Sequence, residues 1–358
     1  MPTKGKKKEY PNQNHTNYRM KAMKEINSKN TLVVDKARLV ELHKNSFNDG
    51  DFYAKFFFEN RFSDKWAWFT ECDGKIVSAV YARPFTLKVM DKVFDVPFFT
   101  GIATDKAYRN LGLARRTIEK AIKALELEGA PFVILHPFLH EFYRNLNFET
   151  VSFVNTKRVV YDERVKTEYR DLTIDDIALI TELYSKKLSV QNAYRVRSED
   201  EVKLILSEHL GDQGRAFVIL NCDIPVGYVL ADNEGIREAI VPDYTMLNGI
   251  KELDGNSYFD HENGIEEHTM ARVVNLEKLL SLVPYRAKIT GEYLFDVNGK
   301  SYLLKVENGS FVSLTESRIS GQKIGLKELI QTALGQKKHK NLLTNVFPEY
   351  NLVIYEKY

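Results

Sequence analysis

Arg109-Asn110-Leu111-Gly112-Leu113-Ala114 decides how this chain is read. An apolar run with strand character, Val93 to Ala103, comes before it. From Ala114 onward the apolar residues Ala114, Ile118, Ala121, Ile122 and Leu125 recur along one face of a helix. A strand, then Arg-x-x-Gly-x-Ala, then a helix start forms a cradle of backbone N–H groups suited to a pyrophosphate. Gly112 lets the backbone approach the phosphates, and Ala114 is small for the same reason. One helix later a second apolar strand, Pro131 to His136, leads into Glu141-Phe142-Tyr143-Arg144-Asn145-Leu146-Asn147-Phe148.

At 358 residues the chain has room for two or three domains. Its composition, 44% hydrophobic and 28% charged, is that of a globular protein. A formal net charge of +2 gives no reason to expect a nucleic-acid or membrane partner. No apolar run is long enough to span a membrane. The early lysines lack a following apolar segment, so no secretion signal is expected. Cys72 and Cys222 stand far apart without paired-Cys or Cys/His spacing, which fits a reducing, cytoplasmic setting. His136, His140, His261 and His268 are conceivable metal ligands, but no motif surrounds them and no metal is expected.

Residues 1–16 read as a flexible basic tail. Tyr18 to Ile26 reads as a strand and Asp35 to Phe47 as a helix, followed by a polar-aromatic segment containing Phe56, Phe57 and Phe58. Trp66 to Glu71 and Lys75 to Ala82 flank Asp73-Gly74, a hairpin signal. The pattern then repeats about 150 positions on. Asp176 to Tyr184 resembles the Asp35 to His43 helix, and Ala216 to Leu220 with Val226 to Ala231 flank Cys222-Asp223. The second copy passes from Asp232 to Asp243 without a phosphate cradle, so one active site is expected, in the first copy. Near the end, strands over Ala287 to Val297, Ser301 to Val306 and Phe311 to Leu314 turn at Asn298-Gly299 and Asn308-Gly309. A helix over Ile324 to Leu334 completes a small α+β unit, and the apolar Leu352 to Tyr358 is expected to be buried or bound.

Together these pieces resemble the Eis-type (enhanced intracellular survival) acetyltransferases of the GNAT superfamily. The likeness is carried by Thr100 to Thr117, by Leu135 to Tyr143, and by Met270-Ala271-Arg272-Val273-Val274-Asn275-Leu276, which is similar to the opening of that family's third domain. The resemblance implies an α/β and α+β fold: a catalytic GNAT domain (17–162), a GNAT-like domain without a cofactor site (163–262) and a sterol-carrier-like domain (263–358). It implies acetyl-CoA as cosubstrate, contacted by Ile102, Ala103 and Thr104 at the strand end. Arg109, Asn110, Leu111, Gly112, Leu113, Ala114 and Arg115 would form the loop, with Phe138 and Leu139 beyond it. Tyr143 would be the general acid and the terminal carboxylate of Tyr358 the base. The acceptor would be a primary amine, on a small molecule such as an aminoglycoside or on a lysine side chain, and the chain would form a homo-oligomer, a trimer or hexamer. Where that family often has glycine, this chain has Asn147, a residue type that tolerates left-handed backbone. Two rival readings are a non-enzymatic lipid- or CoA-binding protein and a tRNA-dependent aminoacyltransferase with tandem GNAT domains. The latter would lack the acyl-CoA loop.

Overall fold

The computed structural model describes residues 35–47, 51–262, 264–336 and 338–355. The strand expected over Tyr18 to Ile26 and the basic tail lie outside them. Helix α1 (Asp35–Ser46) buries Leu39 and Leu42. The aromatic segment after it is a second helix, α2 (Asp51–Asn60), whose inner face is Ala54, Phe57 and Phe58. Strands β1 (Ala67–Cys72) and β2 (Lys75–Val89) pair antiparallel about Asp73-Gly74. Both turn residues have positive φ, 49° and 76°, as a two-residue type I′ turn requires. Strand β3 (Lys92–Thr104) pairs antiparallel with β2. Helix α3 (Leu113–Leu127) returns over the sheet on Leu113, Ile118, Ala121, Ile122 and Leu125, and β4 (Phe132–Leu135) pairs parallel with β3. Short elements follow: α4 (His140–Arg144), β5 (Glu149–Thr150) and β6 (Phe153–Arg158).

The next stretch repeats the pattern of two helices and then antiparallel strands. Strand β7 (Glu168–Asp171), α5 (Ile177–Leu188), β8 (Ala193–Val196) and α6 (Glu199–Gly211) lead into β9 (Arg215–Asn221), β10 (Ile224–Asp232) and β11 (Gly235–Ile240). These form an antiparallel sheet in the order β11-β10-β9-β7. Two 3₁₀ turns, Tyr244–Gly249 and Lys251–Leu253, follow β11 where a long helix follows β3. Strands β12 (Ser257–Asp260) and β13 (Glu266–Glu267) then pair with β6.

Strand β14 (Met270–Val273) does not open a separate layer. It enters the first sheet between β4 and β5, with Met270 opposite Leu135 and Val273 opposite Phe132. Arg272 holds it there through two 2.8 Å bonds to the Glu119 carboxylate on α3. Helix α7 (Leu276–Leu282) leads to β15 (Gly291–Val297), β16 (Lys300–Glu307), β17 (Ser310–Ser317) and β18 (Gln322–Lys323), a sheet ordered β17-β16-β15-β18. Helix α8 (Leu326–Ala333) and β19 (Leu352–Val353) end the described chain. The first sheet therefore runs β19-β8-β2-β3-β4-β14-β5, with β1 also on β2. One apolar core joins it to the last layer: Phe85, Phe98 and Ile134 pack in the same cluster as Phe295, Leu304 and Ile330.

Candidate active site

Strands β3 and β4 are paired at only two positions, Phe98 with Ile134 and Phe99 with Leu135. Beyond these, β3 continues to Thr104 held by β2 alone, while the chain after Leu135 turns away through His136 and Pro137. The strands part into a wedge whose β3 wall offers unpaired backbone groups, which can bond an extended ligand carrying amides. A bulge shapes that wall: Ala103 faces Ala79 and Thr100 faces Tyr81, so Gly101 and Ile102 share the space opposite Val80. Gly101 has φ +57°, and a Cβ there would lie 2.5 Å from Tyr81 Cδ2. Sequence reasoning named Ile102, Ala103 and Thr104 but missed Gly101; a glycine inside a strand was the available signal. Ser78 Oγ donates to the Ala103 carbonyl at 3.0 Å and lies 3.0 Å from Thr104 Oγ1, fixing the strand end.

The loop after β3 begins with a 3₁₀ turn, Lys106–Tyr108, capped by the Asp105 carboxylate on the Ala107 N–H at 2.8 Å. The exposed Arg109 donates from Nε to the Thr104 carbonyl at 3.3 Å. Asn110 and Gly112 both have left-handed backbone, φ 64° and 75°. Nothing lies within 4 Å of where a Gly112 Cβ would sit. The first bond of α3 runs from the Arg116 N–H to the Gly112 carbonyl, so the N–H groups of Leu113, Ala114 and Arg115 face out of the helix end. That end is fixed on two sides. Leu111 and Leu113 pack with Cys72 and Val77, and Thr117 Oγ1 donates to the Leu113 carbonyl at 2.9 Å and lies 2.7 Å from Thr70 Oγ1. Residues 102–104 and 109–115 thus form one continuous margin of the wedge, where the dipole of a 15-residue helix would favour an anion.

Phe138 and Leu139, on the chain leaving β4, are 92% and 61% exposed. Tyr143 on α4 is buried in the same cluster as Phe99 and Leu135, the last paired residues of the two strands. Its ring meets Phe148 edge-on at 5.8 Å, and burial pushes its phenol up to about 12. Asn147 takes the left-handed backbone expected of it, φ 61°. Tyr358 lies outside the described residues. The chain reaches Tyr355, whose hydroxyl is 3.2 Å from that of Tyr244 and whose ring is 4.3 Å from His261.

The four histidines that had no motif in the sequence come together here. His136 follows β4 at the wedge, and its ring lies 4.5 Å from that of His268, which lies 5.8 Å from His261. Thr269 Oγ1 stands between two of them, 3.3 Å from His136 Nδ1 and 3.2 Å from His268 Nδ1. His140 Nε2 is 4.0 Å from the Glu267 carboxylate. Burial holds His268 down at about 4 and His261 at about 3, while burial and then the neighbouring His268, Arg83, His261 and Arg195 hold His136 well below the ordinary imidazole value. Among the described residues no group of three or more His, Cys, Asp or Glu is placed to hold a metal ion, and no helix is long and apolar enough to cross a membrane.

Residues 34–151, from α1 through this wedge, match the family model for the acetyltransferase (GNAT) domain. Across nearly its whole length the chain is similar to solved structures of low identity. A GCN5-related N-acetyltransferase from Kribbella flavida matches at TM-score 0.72 and 13% identity, covering 93% of this chain and 98% of that one. A probable N-acyltransferase of unknown function from Enterococcus faecalis V583 matches at 0.72 and 14%, covering 94% and 100%. Eis1 from Mycobacterium abscessus matches at 0.65 and 9%, covering 93% and 100%. The chain shares the fold of these proteins, and within it residues 34–151 are similar to the GNAT acetyltransferase domain.

Proposed function

We propose that this protein is an acetyl-CoA-dependent N-acetyltransferase of the Eis type, acting on a primary amine of an aminoglycoside-like molecule or a lysine-like side chain. The observation that carries the reading is the wedge between β3 and β4, bordered by the left-handed Asn110–Gly112 turn and the open end of α3. The N–H groups of Leu113 to Arg115 bind the pyrophosphate, with Arg109 and Arg115 beside them. The strand end Ile102–Thr104 bonds the pantetheine arm, and Phe138 and Leu139 give it apolar cover. Acetyl-CoA supplies the acetyl thioester.

Only a neutral amine attacks a thioester, and a lysine-like amine with pKa near 10.4 is about one part in a thousand neutral at pH 7. The site therefore has to strip a proton, and the terminal carboxylate of Tyr358 is the proposed base. A carboxylate is a poor base for a free ammonium, but the nitrogen's proton becomes far more acidic once it has attacked. Tyr143 stays protonated through the neutral range and protonates the departing sulfur. Its raised pKa opposes that transfer, yet the same dry surroundings raise the pKa of the thiol too, so the gap widens less than the tyrosine value alone implies. In this reading residues 17–162 are catalytic, 163–262 a GNAT-like domain without a cofactor site, and 263–358 a sterol-carrier-like domain, in a cytoplasmic homo-oligomer.

The test is a panel of primary amines with acetyl-CoA, followed by thiol release. Release with at least one amine, lost in Tyr143→Phe, is expected. Silence across the panel with tight sterol or fatty-acid binding would instead favour a lipid carrier.

A further inference from the structure

We propose that His136, Thr269 and His268 form a proton exit for the transfer site, carrying the proton lost by the attacking amine to the surface beside His140 and Glu267. The proposal rests on the acetyltransferase reading and adds to it a route that no local sequence motif contains.

Four observations support it. His136 is the first residue beyond the last β3–β4 pair, so its imidazole stands where the strands part. The Thr269 hydroxyl bridges His136 and His268 within 3.3 and 3.2 Å. Thr269 is fully buried, and its carbonyl accepts the N–H groups of Val151 at 2.8 Å and Ser152 at 3.3 Å, so the hydroxyl is held in place by backbone. At the outer end, His140 faces His268 electrostatically and stands 4.0 Å from the part-exposed Glu267 carboxylate, which Arg144 also binds.

The transfer balances as a relay. The carboxylate base gives up the proton it took from the amine, its O–H breaking as an N–H forms on His136 Nε2. His136 gives its Nδ1 proton to Thr269 Oγ1, whose own proton passes to His268 Nδ1, and His268 releases its Nε2 proton to water. The titratable and charged groups facing the route are Arg83 on β2, Arg195 on β8, His261 beyond β12, His140 on α4 and Glu267 on β13. Burial above all, with Arg83 and Arg195 also beside His136, holds both imidazoles below the ordinary value, so each takes a proton only in passing. An exit of this kind lets a weakly basic site clear its proton against a dry interior.

Thr269→Val removes the bridging hydroxyl at nearly constant shape. Single-turnover acetylation of a working amine should slow by about 10²-fold, the low end for a positioned proton carrier. The loss should be greatest at low pH, with acetyl-CoA affinity unchanged, and Thr269→Ser should restore it. On the wild-type chain, the single-turnover rate in mixtures of light and heavy water should bend with deuterium fraction, because more than one proton moves together. This second measurement needs no variant to fold. If wild type transfers acetyl but Thr269→Val keeps the wild-type rate and pH profile, or the isotope dependence is linear, the exit is wrong and the enzyme reading stands. If wild type releases no thiol with any amine, both fall.

Discussion

Gly101 and Tyr81 face each other across the bulge between β2 and β3, so closely that an alanine methyl at Gly101 would sit 2.5 Å from the tyrosine ring. Tyr81 cannot yield, because Phe57, Phe58 and Phe62 surround it at ring distances of 5.5 to 5.7 Å. Gly101→Ala should cost about 1–2 kcal/mol for left-handed backbone and about 1–3 for overpacking. Because the bulge forms one wall of the wedge, acetyl-CoA affinity should fall as well. Urea denaturation and calorimetry on Gly101→Ala, alone and with Tyr81→Leu, check this; the double variant should recover part of the stability.

Gly112 behaves differently. Its left-handed φ costs a larger residue about 1–2 kcal/mol, but the space around it is open. Gly112→Val should fold, melt only slightly earlier and lose acetyl-CoA binding, because the side chain projects into the cradle. Calorimetry should find one site per wild-type chain and none in the variant. Two sites in wild type would mean that the second copy binds too.

Arg61, just past the end of α2, and Glu208 on α6 pair at 2.6 Å, with side chains 7% and 2% exposed. Removing one partner of a buried pair strands the other's charge, typically at about 3–5 kcal/mol. Arg237 also reaches Glu208, at 3.3 Å, so Arg61→Ala should fall near the lower end. Replacing both residues, Arg61→Met with Glu208→Leu, should restore most of the loss in a urea titration.

His261 is buried and its pKa is held at about 3, first by desolvation and next by His268. In the unfolded chain it titrates near 6.5. The folded state therefore binds fewer protons between these values. Its contribution to stability is fully present above about pH 6.5 and is lost as pH falls toward 3. Urea midpoints at pH 7 and pH 5 should differ in wild type and differ less in His261→Gln.

A short tag after Tyr358 would turn the proposed base into a neutral amide, and deleting Tyr358 would leave a carboxylate about 3.5 Å short. Either change should cut turnover at least about 10²-fold while acetyl-CoA binding survives, because the phosphate cradle is untouched. Equal turnover in tagged, truncated and wild-type chains would place the base elsewhere.

Turn chemistry and periodicity made much of this fold legible. Asp73-Gly74, Asn298-Gly299 and Asn308-Gly309 all occupy the left-handed pairs their types suggest. Helix α1 and strand β3 fall where spacing put them. Helix α2 was hidden because three consecutive phenylalanines blur a helical stripe. Helix α6 carried a readable start, Ser198 and Glu201 in a reciprocal cap, that was passed over, and β11 was missed after its hairpin. The proposed phosphate loop was legible because it is one local stretch. The meeting of His136 with Thr269 was not, because 133 positions separate them and only the docking of β14 against β4 joins them.

That docking sets a timetable for synthesis. When β4 leaves the ribosome, the strand that will cover its free edge lies about 135 residues downstream, and at roughly 5–20 residues per second it arrives about 7 to 27 seconds later. Until then the nascent chain presents an apolar, unpaired strand next to a half-built wedge. A pause in translation after residue 151 would prolong that exposure, and expressing 34–151 alone would make it permanent.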